Sequence, residues 1–288
     1  MSLKGKMVMG FFEILKIIAI GIIEGITEWL PISSTGHMLI FQEFVSFDEL
    51  SPEFMDMFNV VIQLGAIMAV VVIYFKKLWP FTKQNGKFGL DKEKISLWMK
   101  IVIACIPLGI IGVLFEDAID AVLMTAVVTA IALIFYGILF ILIEKKGLGS
   151  NARYVDTNAI TYKTAILIGL FQLLSLVPGT SRSGATIIGG MLVGTSRVAA
   201  AEFTFYLGIP VMFGASLLKI IKYILDGSMF TVNEILALVL GMVTAFATSM
   251  IAIKFLIGYI KKHNFVVFGW YRIGLGCIVL LLHFLLSL

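Results

Sequence analysis

Long apolar stretches alternate with short polar ones along this chain. The main apolar runs are 60–75, 101–115, 121–143, 235–253 and 265–288, and all are read as uncharged. Several reach the roughly 20 residues an α-helix needs to cross a hydrocarbon core of about 30 Å. With their flanks they predict six spanning helices, at about 54–75, 97–115, 121–143, 202–224, 233–259 and 266–287. Two further regions, 11–45 and 161–197, are apolar but broken in the middle by Pro and Gly. They predict paired half-helices that enter the bilayer and return, because irregular backbone at membrane depth is tolerated only inside protein or beside a wet cavity.

The two broken regions resemble each other. Gly21-Ile-Ile-Glu24 aligns with Gly169-Leu-Phe-Gln172 at an offset of 148, and the same offset lays Ser33-Ser34-Thr35-Gly36 over Ser181-Arg182-Ser183-Gly184. Glu53-Phe54 and Gly65-Ala66 recur as Glu202-Phe203 and Gly214-Ala215 at an offset of 149. The expected architecture is therefore a single all-α polytopic membrane domain over 1–288, a duplication with repeats at about 1–150 and 151–288. Each repeat holds one re-entrant hairpin and three crossings, and an odd number of crossings makes the halves an inverted repeat.

Composition agrees. Apolar residues make up 60% of the chain and charged residues 14%, and mean hydropathy is +1.04; a soluble domain carries about 25% charged residues. The first apolar stretch contains Lys16, Glu24 and Glu28, so it is not read as a cleavable signal. Cys105 and Cys277 lie isolated in apolar runs and are read as packing residues. The net charge of +4 matters less than its distribution. Lysines between 76 and 94, basic residues from Lys145 to Lys163, and Lys261 with Lys262 mark three loops as cytoplasmic under the positive-inside rule, while Lys4, Lys6, Lys16, Lys219 and Lys222 oppose that orientation. Acidic residues mark other loops: Asp48, Glu49, Glu53 and Asp56, then Glu116, Asp117 and Asp120.

Candidate chemistry concentrates at the two breaks. Glu24 and Glu28 are four apart and share one helical face. Two carboxylates in a membrane helix repel, so one holds a proton or both face a cation. Ser33, Ser34 and Thr35 supply hydroxyls and a helix start, and His37 an imidazole beside them. At the second break, Gly179 and Gly184 permit close backbone approach. Thr180, Ser181, Ser183 and Thr186 can line a phosphate at a helix N-terminus, and Arg182 offers a guanidinium fork that matches it. His263 and His283 are read as structural.

At these residues the chain resembles the undecaprenyl-diphosphatase, or bacitracin-resistance, family. The matching strings are Glu24-Gly-Ile-Thr-Glu28-Trp-Leu-Pro-Ile-Ser-Ser-Thr-Gly-His37 and Pro178-Gly-Thr-Ser-Arg-Ser-Gly-Ala-Thr186. Val61-Ile-Gln-Leu-Gly65 and Ala201-Glu-Phe-Thr-Phe-Tyr-Leu-Gly-Ile-Pro210 support them. The resemblance implies a multi-pass enzyme of the bacterial plasma membrane whose site opens to the outer face. It would hydrolyse undecaprenyl diphosphate to undecaprenyl phosphate and inorganic phosphate, recycling the lipid carrier of cell-wall synthesis and conferring bacitracin resistance. It also implies a divalent cation, Mg²⁺ or Ca²⁺, for which Glu24 and Glu28 are the expected ligands.

In this reading Arg182 stabilises phosphoryl charge, His37 is the base or acid, and Ser34, His37 or water attacks. The expected partners are a polyprenyl diphosphate and membrane lipids, with no nucleic acid and a homodimer left open. The alternative is an inverted-repeat transporter of a phosphorylated lipid or small anion.

Overall fold

The computed structural model describes residues 9–84 and 87–286. Two helices open the chain, α1 (Phe11–Thr27) and α2 (Ser34–Phe44), joined by a turn at the first Pro-containing break. The buried Glu13 carboxylate gathers the following loop, accepting from the backbone N–H groups of Asp48 (2.8 Å) and Glu49 (3.1 Å) while Lys16 pairs with it at 3.0 Å. Ser51 then caps α3 (Pro52–Val61), accepting from the Phe54 N–H with Pro at the first helical position, where its missing donor is harmless. Next come α4 (Gln63–Ile73), the single turn α5 (Phe75–Leu78) and an antiparallel hairpin of β1 (Phe81–Gln84) and β2 (Lys87–Leu90), in which Phe81 faces Leu90.

Helices α6 (Lys92–Leu123) and α7 (Ala126–Lys145) follow, the latter capped by Thr125. A polar linker leads to α8 (Tyr162–Gln172), which tightens into a 3₁₀ turn over Leu173–Leu176 before α9 (Arg182–Leu192) begins. The chain continues through α10 (Arg197–Leu225), α11 (Val232–Ile260) and α12 (Val266–Leu286). A capping box between Thr231 and Glu234 fixes the start of α11.

Six segments are long and apolar enough to cross a membrane: Pro52–Ile73, Lys92–Phe115, Ala126–Lys145, Arg197–Leu225, Val232–Ile260 and Val266–Leu285. They coincide with the six expected spans, and the protein is an all-α polytopic membrane protein. Large apolar side chains such as Ile110, Val113, Phe135 and Ile251 are exposed on its outside, as a lipid solvent requires. Both interrupted regions are helix–turn–helix hairpins, as expected.

Three local expectations need correction. Residues Glu116, Asp117 and Asp120 lie in the last turns of α6, not in a loop, because no Gly or Pro interrupts residues 113–123. The first span is two helices that meet at Ile62. The basic segment after α5 pairs as a hairpin, a structure that the Asn85-Gly86 dipeptide between its strands signals.

Helix α12 packs along α7, α1 along α11, α8 along α6, and α11 along α4, while α10 touches α3, α4, α6 and α9. One ion pair ties three helix ends together. The buried Glu144 at the end of α7 accepts from Arg197 Nε at 2.8 Å and from the Phe265 N–H at 3.0 Å. Breaking a buried pair leaves an uncompensated charge, which costs about 3–5 kcal/mol. A Glu144→Ala variant should accordingly unfold at a clearly lower temperature than wild type in the same detergent, followed by circular dichroism.

Candidate active site

Each hairpin turns back through the same unusual backbone. Ser33 (φ 74°) and Ser181 (φ 70°) are the only non-glycine residues with positive φ among the described residues. That left-handed region is costly for a residue with a Cβ. Each serine caps the helix after it, Ser33 Oγ accepting from Gly36 N at 3.3 Å and Ser181 Oγ from Gly184 N at 3.2 Å. The two strained serines occupy equivalent places in the two aligned tetrapeptides. The second turn also needs Gly179 (φ 86°), where a Cβ would overlap the Thr129 carbonyl of α7.

The turns meet across the molecule. Arg182, the first residue of α9, donates to Glu28 Oε1 from Nη2 at 2.9 Å and from Nε at 3.3 Å. Its Nη1 donates to the Thr204 carbonyl at 3.0 Å, and its guanidinium lies 5.9 Å from the Trp29 ring. The other Glu28 oxygen accepts from Ser34 Oγ at 3.1 Å. Ser183 Oγ adds a second tie, donating to the Leu30 carbonyl at 3.3 Å. Glu24 is 1% exposed, lies within electrostatic reach of Glu28 and Arg182, and leaves its Oε1 without a hydrogen-bond partner. Its counterpart in the second hairpin, Gln172, is fully buried with both amide atoms unpartnered.

Arg272 of α12 holds both turns at once. It is 0% exposed and donates from Nη1 to the Pro31 carbonyl at 3.2 Å and from Nη2 to those of Gly179 (2.7 Å) and Thr180 (2.9 Å). These carbonyls lie where helical hydrogen bonding has stopped, so an outside donor is required in a low-dielectric interior. Reading 265–288 as an uncharged run overlooks this residue. A lone arginine inside a 20-residue apolar segment is itself the signal that finds it. Trp29 and Thr204 also frame Arg182 and carry no signal outside the motifs.

The expected site residues do not all converge. Glu28, Ser34 and Arg182 form one bonded group, with Glu24 beside them. His37 sits one helical turn from Ser34 and turns elsewhere, its Nδ1 2.7 Å from the Ser33 carbonyl and its Nε2 2.7 Å from Tyr271 Oη. Thr35 is exposed. Thr186 is buried and its hydroxyl is used internally, donating to the Arg182 carbonyl at 2.8 Å while accepting from Thr204 Oγ1 at 2.8 Å. It supports the start of α9 instead of presenting an oxygen to a ligand. Thr180 is likewise fully buried. Ser181 and Ser183 bond each other at 3.0 Å at the mouth of the turn.

A family model described as "Bacitracin resistance protein BacA" matches residues 17–278. The chain belongs to this family. Proteins named undecaprenyl-diphosphatase resemble this BacA-family chain along nearly its whole length. The relatives from Lachnoclostridium phytofermentans and Enterococcus faecalis are 59% and 57% identical over 271 and 277 residues, covering 94% and 96% of this chain and 97% and 99% of theirs. A relative of the same name from Desulfitobacterium hafniense is 56% identical over 274 residues, 95% of this chain and 97% of its own.

In this BacA-family chain the arginine clamp carries a clear expectation. Removing it leaves three buried carbonyls unpaired, each worth about 1–3 kcal/mol. An Arg272→Met variant keeps much of the side-chain volume yet should melt well below wild type, and protease should cut it within the two turns. Wild-type melting and wild-type cleavage would remove the clamp.

Proposed function

We infer that this chain hydrolyses undecaprenyl diphosphate to undecaprenyl phosphate and inorganic phosphate. The reaction returns the lipid carrier of cell-wall synthesis to use, and it underlies bacitracin resistance. The observation that carries the reading is the bonded group Glu28–Arg182–Ser34, which joins the two family-matching turns at one polar centre.

The reaction breaks the P–O–P bridge. An attacking oxygen bonds to the terminal phosphorus, the bridging oxygen leaves with the lipid monophosphate, and the attacker gives up a proton. Little covalent work falls to the protein in phosphoryl transfer, so positioning and charge stabilisation dominate. Arg182, held by Glu28 and by the Thr204 carbonyl, presents its fork at the start of α9, where the helix N-terminus also favours anions. The N–H groups and hydroxyls of residues 181–184 share in that cradle, together with Ser33 at the other turn.

Ser34 is the attacking hydroxyl best supported; water then attacks the phosphorus of the phosphoserine it forms, which releases inorganic phosphate and restores the Ser34 hydroxyl. Its proton already points at a carboxylate, at 3.1 Å. His37 is less suited to attack, since both ring nitrogens are engaged. It serves proton transfer instead.

Glu24 and Glu28 fit a divalent cation. Glu24 Oε1 is buried without a partner, and the surrounding donors are hard oxygens. Among the described residues no cluster of three or more His, Cys, Asp or Glu could complete a protein cage. Mg²⁺ is typically bound through one or two carboxylates with water and substrate phosphates. When bound, the ion would offset the charge of the diphosphate.

The architecture is part of the same proposal. The halves 1–150 and 151–288 form an inverted repeat, and the site faces outward if the basic loops are cytoplasmic. Two equivalent strained serines, and the reciprocal pairings of α1 with α11 and α8 with α6, support it.

Purified protein given C55 or C15 diphosphate tests the enzyme reading by release of inorganic phosphate. Arg182→Ala and Glu28→Gln should each lower turnover about 100-fold or more while the protein still folds. Chelation should abolish release and added Mg²⁺ or Ca²⁺ restore it. Lipid or anion flux into liposomes without phosphate release would favour the transporter.

A further inference from the structure

Glycine inside a helix is destabilising relative to alanine, because it loses more backbone freedom on folding. Gly208 nevertheless sits buried in the interior of α10. The helix itself does not call for it. The alignment at an offset of 149 lays Asn59 of α3 opposite Gly208, so a side chain is accommodated at the related helical position. The reason lies in what touches residue 208. A Cβ there would stand 3.0 Å from Arg182 Nη2, 3.2 Å from Arg182 Nη1 and 3.1 Å from Ile67 Cδ1 of α4. Each approach is closer than the ~3.5 Å at which non-bonded heavy atoms settle.

Neither neighbour is free to retreat. Ile67 is buried in the core. The guanidinium is held from two sides. Its Nη1 donates at 3.0 Å to the Thr204 carbonyl, one turn before Gly208 on the same face of α10, and its Nη2 and Nε donate to Glu28 at 2.9 and 3.3 Å. We propose that Gly208 is a positioning residue for Arg182: its bare backbone is the surface against which the guanidinium lies while it bridges Thr204 and Glu28. The proposal rests on Arg182 as the group that stabilises phosphoryl charge. A methyl group at 208 pushes the fork away by a few tenths of an ångström, and the bonds to Thr204 and Glu28 cannot both keep their lengths. Charge stabilisation depends on donors already held where the charge develops. The displacement is therefore felt in turnover and not in folding.

Gly208→Ala is the test, with radiolabelled C15 diphosphate as substrate so that slow variants stay measurable. Its kcat/KM should fall about 10-fold or more, while it melts near wild type in the same detergent. Ile67→Val makes room on the α4 side only, so adding it should not restore turnover. In an Arg182→Lys background the crowded Nη atoms are gone, and the alanine should cost nothing further.

Wild-type kcat/KM in Gly208→Ala would overturn the proposal. So would recovery with Ile67→Val, melting far below wild type, or an equal loss in the Arg182→Lys background, each of which marks plain crowding of the core. Wild-type turnover in Arg182→Ala would overturn the role of Arg182 itself, whereas a slow Arg182→Ala beside a fast Gly208→Ala overturns the role of Gly208 alone.

Discussion

Two places in this molecule interrupt helical hydrogen bonding in an interior that offers little water, and the backbone there must find other partners. Everything at the polar centre follows from how that demand is met. Arg272 satisfies carbonyls from both turns with one guanidinium. Ser33 and Ser181 accept strained backbone angles to cap the helices that restart. Ser183 and Arg182 close the remaining gaps from one turn to the other. The same groups that make the turns tolerable also bring a carboxylate, a hydroxyl and a cationic fork together.

The two turns share a backbone form but differ in their side chains. Where the first tetrapeptide carries Ser34, the second carries Arg182, and the place of Glu24 is taken by Gln172. Similar turn geometry thus places a hydroxyl on one side of the Glu28 carboxylate and a guanidinium on the other. Each turn alone carries only part of the bonded group of Glu28, Ser34 and Arg182.

Much of this was legible in the sequence. Apolar run length located the six crossings, because a helix in lipid must bury every backbone group over a fixed distance. Pro and Gly inside two apolar regions located both turns, and the repeated tetrapeptide tied them together. Placing both turns at one centre brought Glu28 and Arg182 into the same site, and their direct ion pair came from the structure. What escaped were contacts made by α12. Arg272 reaches Pro31 across 241 residues and His37 meets Tyr271 across 234, and no local pattern encodes where a last helix returns. Averaging over an apolar run also hides a single charge. Nor does proximity in sequence to Ser34 decide which way the His37 ring turns, toward the Ser33 carbonyl and Tyr271.

The position of the clamp in the chain has a consequence for biogenesis. Arg272 is made 241 residues after Pro31 and 92 after Thr180. At a ribosomal pace of about 5–20 residues per second, the first turn waits roughly 10–50 s for its guanidinium. During that interval its free carbonyl must be hydrated or sheltered by the insertion machinery. The clamp is consequently completed late in synthesis, when α12 docks against both turns.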